Sequence, residues 1–361
     1  MWAVNGHDDR SVAFAARLME LGVEVRIIDK NALLSEQSLP RGSVVVIGMD
    51  NPNYQDLSSV ISSVASGLDL SVVSISSGFG AEELPDWGGR HFRLLERPKI
   101  ALMGHQDFSS YDVGVSWWSL DHHLGIRHSM VNGTSLNYGD LRRYNTIIMP
   151  SGYQNLSNSE MNSLKEWIRQ GGTLIAHNAS SRSLSYENGI GSVRQVSSTF
   201  DKSEEYNMDL QREFGALNIE IDMEETNKNR VDHDVEYPWE GSSNKYNKAQ
   251  LEKRDEWQSL FMPSGAFVAG RIDDEHWLTF GTIDTLPVLY SNLPVLMTGG
   301  NSEAAVRIGE IVQSDEETYR TINWSDMPPN TDLNVRMSGL VWPEASQRIA
   351  NSAYLTRERI G

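Results

Sequence analysis

Nine histidines, at positions 7, 91, 105, 122, 123, 128, 177, 233 and 276, and no cysteine at all set the chemistry open to this 361-residue chain. Without a thiol there is no disulfide, no thiolate metal ligand and no cysteine nucleophile. A metal site built from histidine and carboxylate needs its ligands at fitting spacing. His122 and His123 follow Asp121 on a predicted helix. Adjacent helical side chains diverge by about 100°, so this pair is not expected to share an ion. His233 and Glu236 form an H-x-x-E whose ends share a helix face, but Pro238 follows closely and only His276 lies downstream. A chance match is the better account, and the sequence assigns no metal ligand.

Nucleophile signatures are also missing. There is no G-x-S-x-G and no Walker A motif, and Gly78-Phe79-Gly80 and Gly189-Ile190-Gly191 lack a third glycine at the dinucleotide spacing. What remains is a set of polar residues directly after apolar runs. His105, Gln106 and Asp107 follow one run, Ser151 and Gly152 a second, and His177 and Asn178 a third. A serine–histidine pair in such a pocket would perform acyl transfer. The plainer account is that His177 and Asn178 satisfy nearby backbone groups. Ten tryptophans raise sugar stacking as a further chemistry. Trp118 and Trp167 fall on helix faces expected to be buried, which leaves Trp87, Trp239 and Trp257 as surface candidates. N-x-S/T sequons begin at Asn132, Asn155, Asn178 and Asn323. They matter only in a eukaryotic secretory setting.

These residues depend on an alternation of strands and helices. Residues 1–96 read as a small α/β unit. A helix over about 10–21 carries Val12, Ala15, Ala16, Leu18 and Met19 on its buried side and ends at Gly22. Strands follow at 23–28, 43–48 and 70–75, with a helix over 54–68. The alternation predicts a parallel or mixed sheet. From Pro98 a second series begins: strand 99–103, helix 111–124 with Val115, Trp118 and His122 at helical spacing, a strand near 126–131, and strand 144–149. Ser157 and Glu160 form a capping box for a helix with Met161, Leu164, Trp167 and Ile168 as its stripe, closed by Gly171-Gly172 before strand 173–176. Repeated βαβ units predict a three-layer α/β sandwich with its ligand site at the strands' carboxyl ends. Further strands are expected at 265–272, 286–290, 293–297 and 334–341, with a terminal helix over 344–356.

Composition narrows the partners. Lys plus Arg number 31 against 49 Asp plus Glu, a net charge of −18, which argues against nucleic acid. Residues 201–260 alone hold 16 Asp plus Glu against 8 Lys plus Arg and read as a solvated acidic excursion. No apolar run reaches the about 18 residues needed to span a bilayer, and no signal-peptide pattern opens the chain.

Several segments together resemble one family. Arg97–Leu102, Ser110–Gly114, Trp118–Asp121, Leu141–Pro150 and Gly171–Ala176 are similar to a class I glutamine amidotransferase-like domain. The variant is the one found C-terminal to the catalytic domain of large bacterial zinc carboxypeptidases of the carboxypeptidase A type. Pro263–Ala266, His276–Gly281, Ser338–Pro343 and Ala350–Ala353 fit that variant, and residues 1–96 with Leu39–Ser43 resemble its linker unit. The resemblance implies a mainly parallel three-layer domain over 97–361 after a smaller α/β unit at 1–96. It also marks two departures. The zinc-binding peptidase domain is not in this chain, and the nucleophilic cysteine has no counterpart, His177 and Asn178 being the nearest positions. Glutamine hydrolysis by the usual route is therefore excluded.

The expectation that follows is a non-catalytic accessory region with no catalytic residue and no cofactor of its own, zinc being expected in the peptidase domain. Its expected partners are that domain and peptide or cell-wall substrate, and the resemblance favours a periplasmic or extracellular setting. The abrupt start and the stop at Arg357–Gly361 point to a fragment of a longer product or a split gene. Two rival readings stand beside it. One is a stand-alone hydrolase using His105, Asp107, Ser151 and His177. The other is a carbohydrate- or peptidoglycan-binding module using Trp87, Trp239 and Trp257.

Overall fold

A computed structural model describes residues 1–80, 84–105, 107–136, 140–152, 156–186, 189–203, 206, 208, 210, 213, 247–314, 321–322, 325–326 and 330–360. Gln106, Asn155, His233, Glu236, Trp239, Asn323 and most of the acidic segment lie outside them. The fold is mixed α/β, with one parallel four-stranded sheet and several antiparallel sheets. The chain divides into two units. One holds Met1–Ser183 with Asp274–Ile283, the other Leu184–Asp273 with Asp284–Arg359.

Helix Arg10–Glu20 forms where the apolar spacing predicts it, and Gly22 follows at φ +87°, a conformation that suits only a residue without Cβ. Phe14 and Leu18 are fully buried, but Val12 is 59% exposed, against expectation. Two residues from Phe14 is about 200° around the helix, so a stripe centred on Phe14 and Leu18 turns Val12 outward. The first sheet runs Val73–Ser74, Trp2–Val4, Val44–Val46, Arg26–Ile28, Phe92–Leu94. Every neighbouring pair is antiparallel, which corrects the parallel or mixed sheet read from the sequence. The reason is insertion. Trp2–Val4 and Arg26–Ile28, joined by a helix, do point the same way, but Val44–Val46 slots between them in the opposite sense. A helical crossover sets strand direction and leaves the choice of neighbour open.

The second sheet is parallel throughout, in the order Thr173–Ala176, Thr146–Met149, Ile100–Gly104, His128–Asn132. Ile100–Gly104 is buried along its whole length, as a strand covered on both faces must be. Helix Asn158–Arg169 has the full capping box, with Ser157 Oγ accepting from the Glu160 N–H and the Glu160 carboxylate accepting from the Ser157 N–H. Leu164 and Trp167 are buried as expected, and the Trp167 indole N–H donates to Leu141 O at 3.0 Å and Tyr144 O at 3.2 Å. Trp118 is a correction: it is 54% exposed, and helix Ser110–Trp118 buries none of its residues. Past Trp118 the chain widens into a π-turn over Ser119–Leu124, so Leu120 and Ile126 enter the core instead. The Trp118 ring lies on His122 at 4.0 Å and 9°.

In the second unit the expected mainly parallel sheet gives way to seven antiparallel strands. Ser264–Ile272 is central, pairing with Thr285–Ser291, Ser302–Ile308 and Arg336–Ser338. From Ser264 to Ile308 the strands follow one another with no α-helix between them, so Ser264–Ile272 pairs with Thr285–Ser291 and Ser302–Ile308 in antiparallel fashion. The terminal helix is shorter than predicted: Pro343–Ile349 is helical, then Asn351 turns at φ +56° into strand Ala353–Glu358. That strand pairs with Ser302–Ile308, a partner no local pattern announces.

Glu20, at the end of the first helix, accepts hydrogen bonds from Arg97 and Arg127, each at 2.7 Å. Burial pushes its carboxyl pKa up, but the hydrogen bonds from Arg127 and Arg97 outweigh it and hold the pKa below the ordinary glutamate value. A lowered carboxylate pKa adds stability above the unfolded value that is lost as pH falls through the folded one. Glu20→Gln is expected to cost about 1–2 kcal/mol at pH 7 and to flatten the loss of stability below about pH 4.5, both read by urea unfolding across pH.

Candidate functional site

The three loops singled out by sequence meet at the carboxyl ends of the parallel strands. Phe108 and Gly152 form an isolated antiparallel bridge, and the Ser109 N–H donates to Ser151 O at 2.8 Å. The loop carrying His105 and Asp107 is thereby tied to the Ser151-Gly152 turn. The third loop joins through the His177 N–H to Met149 O at 2.9 Å and through the Ser180 hydroxyl to Pro150 O. Gly152 is required where it stands, because a Cβ there would lie 2.6 Å from Asp107 O and 2.7 Å from the Phe108 ring.

Two residues at this end have positive φ. His105, directly after Ile100–Gly104, has φ +99°, and Asn178, two residues after Thr173–Ala176, has φ +46°. Asparagine tolerates the left-handed region through its short polar side chain, whereas histidine at +99° is outside it and holds strain. Both strands neighbour Thr146–Met149, so the two positive-φ turns flank Ser151. Such strain at the carboxyl end of a parallel sheet marks the place where α/β folds put their sites.

His105 and Asp107 are exposed, and Ser151 is 8% exposed. His177 keeps solvent contact, yet protein around the ring desolvates it and lowers its pKa below the ordinary histidine value, against the opposing pull of the Asp112 carboxylate. Asp112 is the group that sequence reading missed as a site residue. Its signal was Ser109-x-x-Asp112: the Ser109 hydroxyl accepts from the Asp112 N–H and fixes that carboxylate in the first turn of the helix.

A neutral imidazole can take a proton. Among the described residues no hydrogen bond joins the His177 ring to the Ser151 hydroxyl. The Ser180 and Ser181 hydroxyls donate to the carbonyls of Pro150 and Asn178. No group of three or more His, Asp or Glu able to hold a metal ion occurs among the described residues. Of the surface tryptophans, Trp257 is 57% exposed, while Trp87 is half-buried against Gly78. No helix is long and apolar enough to cross a membrane among the described residues. No family model, curated protein or solved structure matches the chain.

Because the folded His177 pKa is lowered, the unfolded chain binds its proton first as pH falls, so stability is complete above about 6.5 and declines just below it. His177→Gln is expected to remove that part of the decline between pH 7.5 and 5, and an NMR titration of the ring protons is expected to show a midpoint below that of a free histidine. Gly152→Ala is expected to cost about 1–3 kcal/mol in urea unfolding, because a backbone carbonyl blocks the added methyl group.

Proposed function

We propose that this chain is a non-catalytic accessory region of a zinc carboxypeptidase-like protein. It would pack against the peptidase domain, support its fold or help present peptide or cell-wall substrate. In this reading its parallel sheet is the centre of a three-layer, class I glutamine amidotransferase-like domain. The observation that carries the reading is Asn178. At the turn after Thr173–Ala176, where such a domain would carry its nucleophile, the left-handed residue is an asparagine. A carboxamide is no nucleophile, yet asparagine holds this bend at little cost, so the turn keeps its shape without the chemistry. The commitment of the Ser180 and Ser181 hydroxyls to backbone carbonyls supports the same conclusion. Zinc, with its general-base glutamate, belongs to the peptidase domain in this reading, and the setting is periplasmic or extracellular.

The test is metal analysis with a peptidase and glutaminase assay on the purified chain. The expected result is substoichiometric zinc, no release of C-terminal residues from peptides and no ammonia from glutamine. Stoichiometric zinc with carboxypeptidase turnover would overturn the reading, as would any hydrolysis abolished by His177→Ala.

A further inference from the structure

In the second unit, helix Lys248–Ser259 lies against helix Pro343–Ile349. Arg348 donates to Asp255 at 2.8 and 3.3 Å, Gln258 Nε2 donates to Gln347 Oε1 at 3.1 Å, and the Phe261 ring meets Trp342 at 6.1 Å. These contacts pair rising numbers on one segment with falling numbers on the other. Glu344, one turn before Arg348, therefore falls level with Gln258 and Phe261. Arg348 is its natural partner at i, i+4, but Asp255 already holds that guanidinium. Among the described residues Glu344 finds no hydrogen bond and no cation; its Oε2 and the Oε1 of Gln258 are buried acceptors without a donor there. A buried acceptor left unmatched destabilises the fold, and a donor placed there would recover that loss.

The end of this seam is aromatic and open. Trp257 and Trp342 are 57% and 50% exposed, with Phe261 between them, 5.1 Å and 62° from Trp257 and 58° from the plane of Trp342. Rings tilted in this way form corners. A flat platform suits a sugar face or a stacked guanidinium, whereas a corner of electron-rich faces suits a compact ammonium. The net charge of −18 favours a cationic partner in the same sense.

We propose that this seam binds a lysine side chain of a partner peptide, with the ammonium against the faces of Trp257 and Trp342 and Glu344 as its counter-charge. The proposal concerns the second unit alone and does not rest on the accessory reading. Calorimetric titration with acetyl-Gly-Lys-Gly-amide is expected to show saturable binding that the norleucine counterpart lacks. Glu344→Gln is expected to weaken it about tenfold, while the variant folds at least as stably as the parent chain. Trp342→Phe is expected to keep the fold and weaken binding severalfold, and added salt to weaken it further. Equal binding of the lysine and norleucine peptides, or an unchanged affinity in Glu344→Gln, would overturn the proposal. So would tighter binding of the arginine peptide, or binding of chito-oligosaccharide in place of either peptide.

Discussion

The first unit depends on a single helix buried against two sheets. Arg10–Glu20 sends Phe14, Ala15 and Leu18 into the core beneath the antiparallel sheet, while Ala16 packs with Ile100, Leu102 and Ile148 of the parallel one and with Leu120 of the π-turn. A helix so placed must be narrow on one side, and alanine supplies that. Its C-terminal end is held by charge, with Glu20 accepting from Arg97 and Arg127 and Arg17 donating to the carbonyls of His122 and His123. A larger residue at position 16 would part the two layers, because close-packed cores have no slack for an added side chain.

The candidate site inherits its geometry from the parallel ladder. Four strands in register bring their carboxyl ends level, and the polar residues after them become neighbours whether or not they act together. What separates geometry from chemistry here is the identity of a few side chains. In the turn after Thr173–Ala176 the left-handed residue is Asn178. A histidine with lowered pKa stands beside it, with no hydrogen bond to the Ser151 hydroxyl. His105, at φ +99°, holds backbone strain at the carboxyl end of this sheet, while Asn178 bends there at little cost.

Much of this was legible in the chain itself. The capping box at Ser157 and Glu160 and the stripe of Leu164 and Trp167 announced a helix, and the structure has it over Asn158–Arg169. Those signals are local, set by groups within one or two turns of each other. The candidate loops were legible for the same reason, since a polar residue after an apolar run marks a strand end. Trp118 was misread because helix Ser110–Trp118 buries none of its residues, and the seven residues after Ile349 because a strand partner about 50 residues away was invisible.

The sequence by itself determined the absence of thiol chemistry, the capped helix Asn158–Arg169 and the direction in which each helix-linked strand runs. Tertiary structure alone decided the neighbours. It inserted Val44–Val46 between two parallel strands, turned the second unit antiparallel, brought Asp112 to bear on His177 and left Glu344 with no cation among the described residues. Periodicity is a property of consecutive residues, whereas pairing is settled by competition among all surfaces the chain must bury at once.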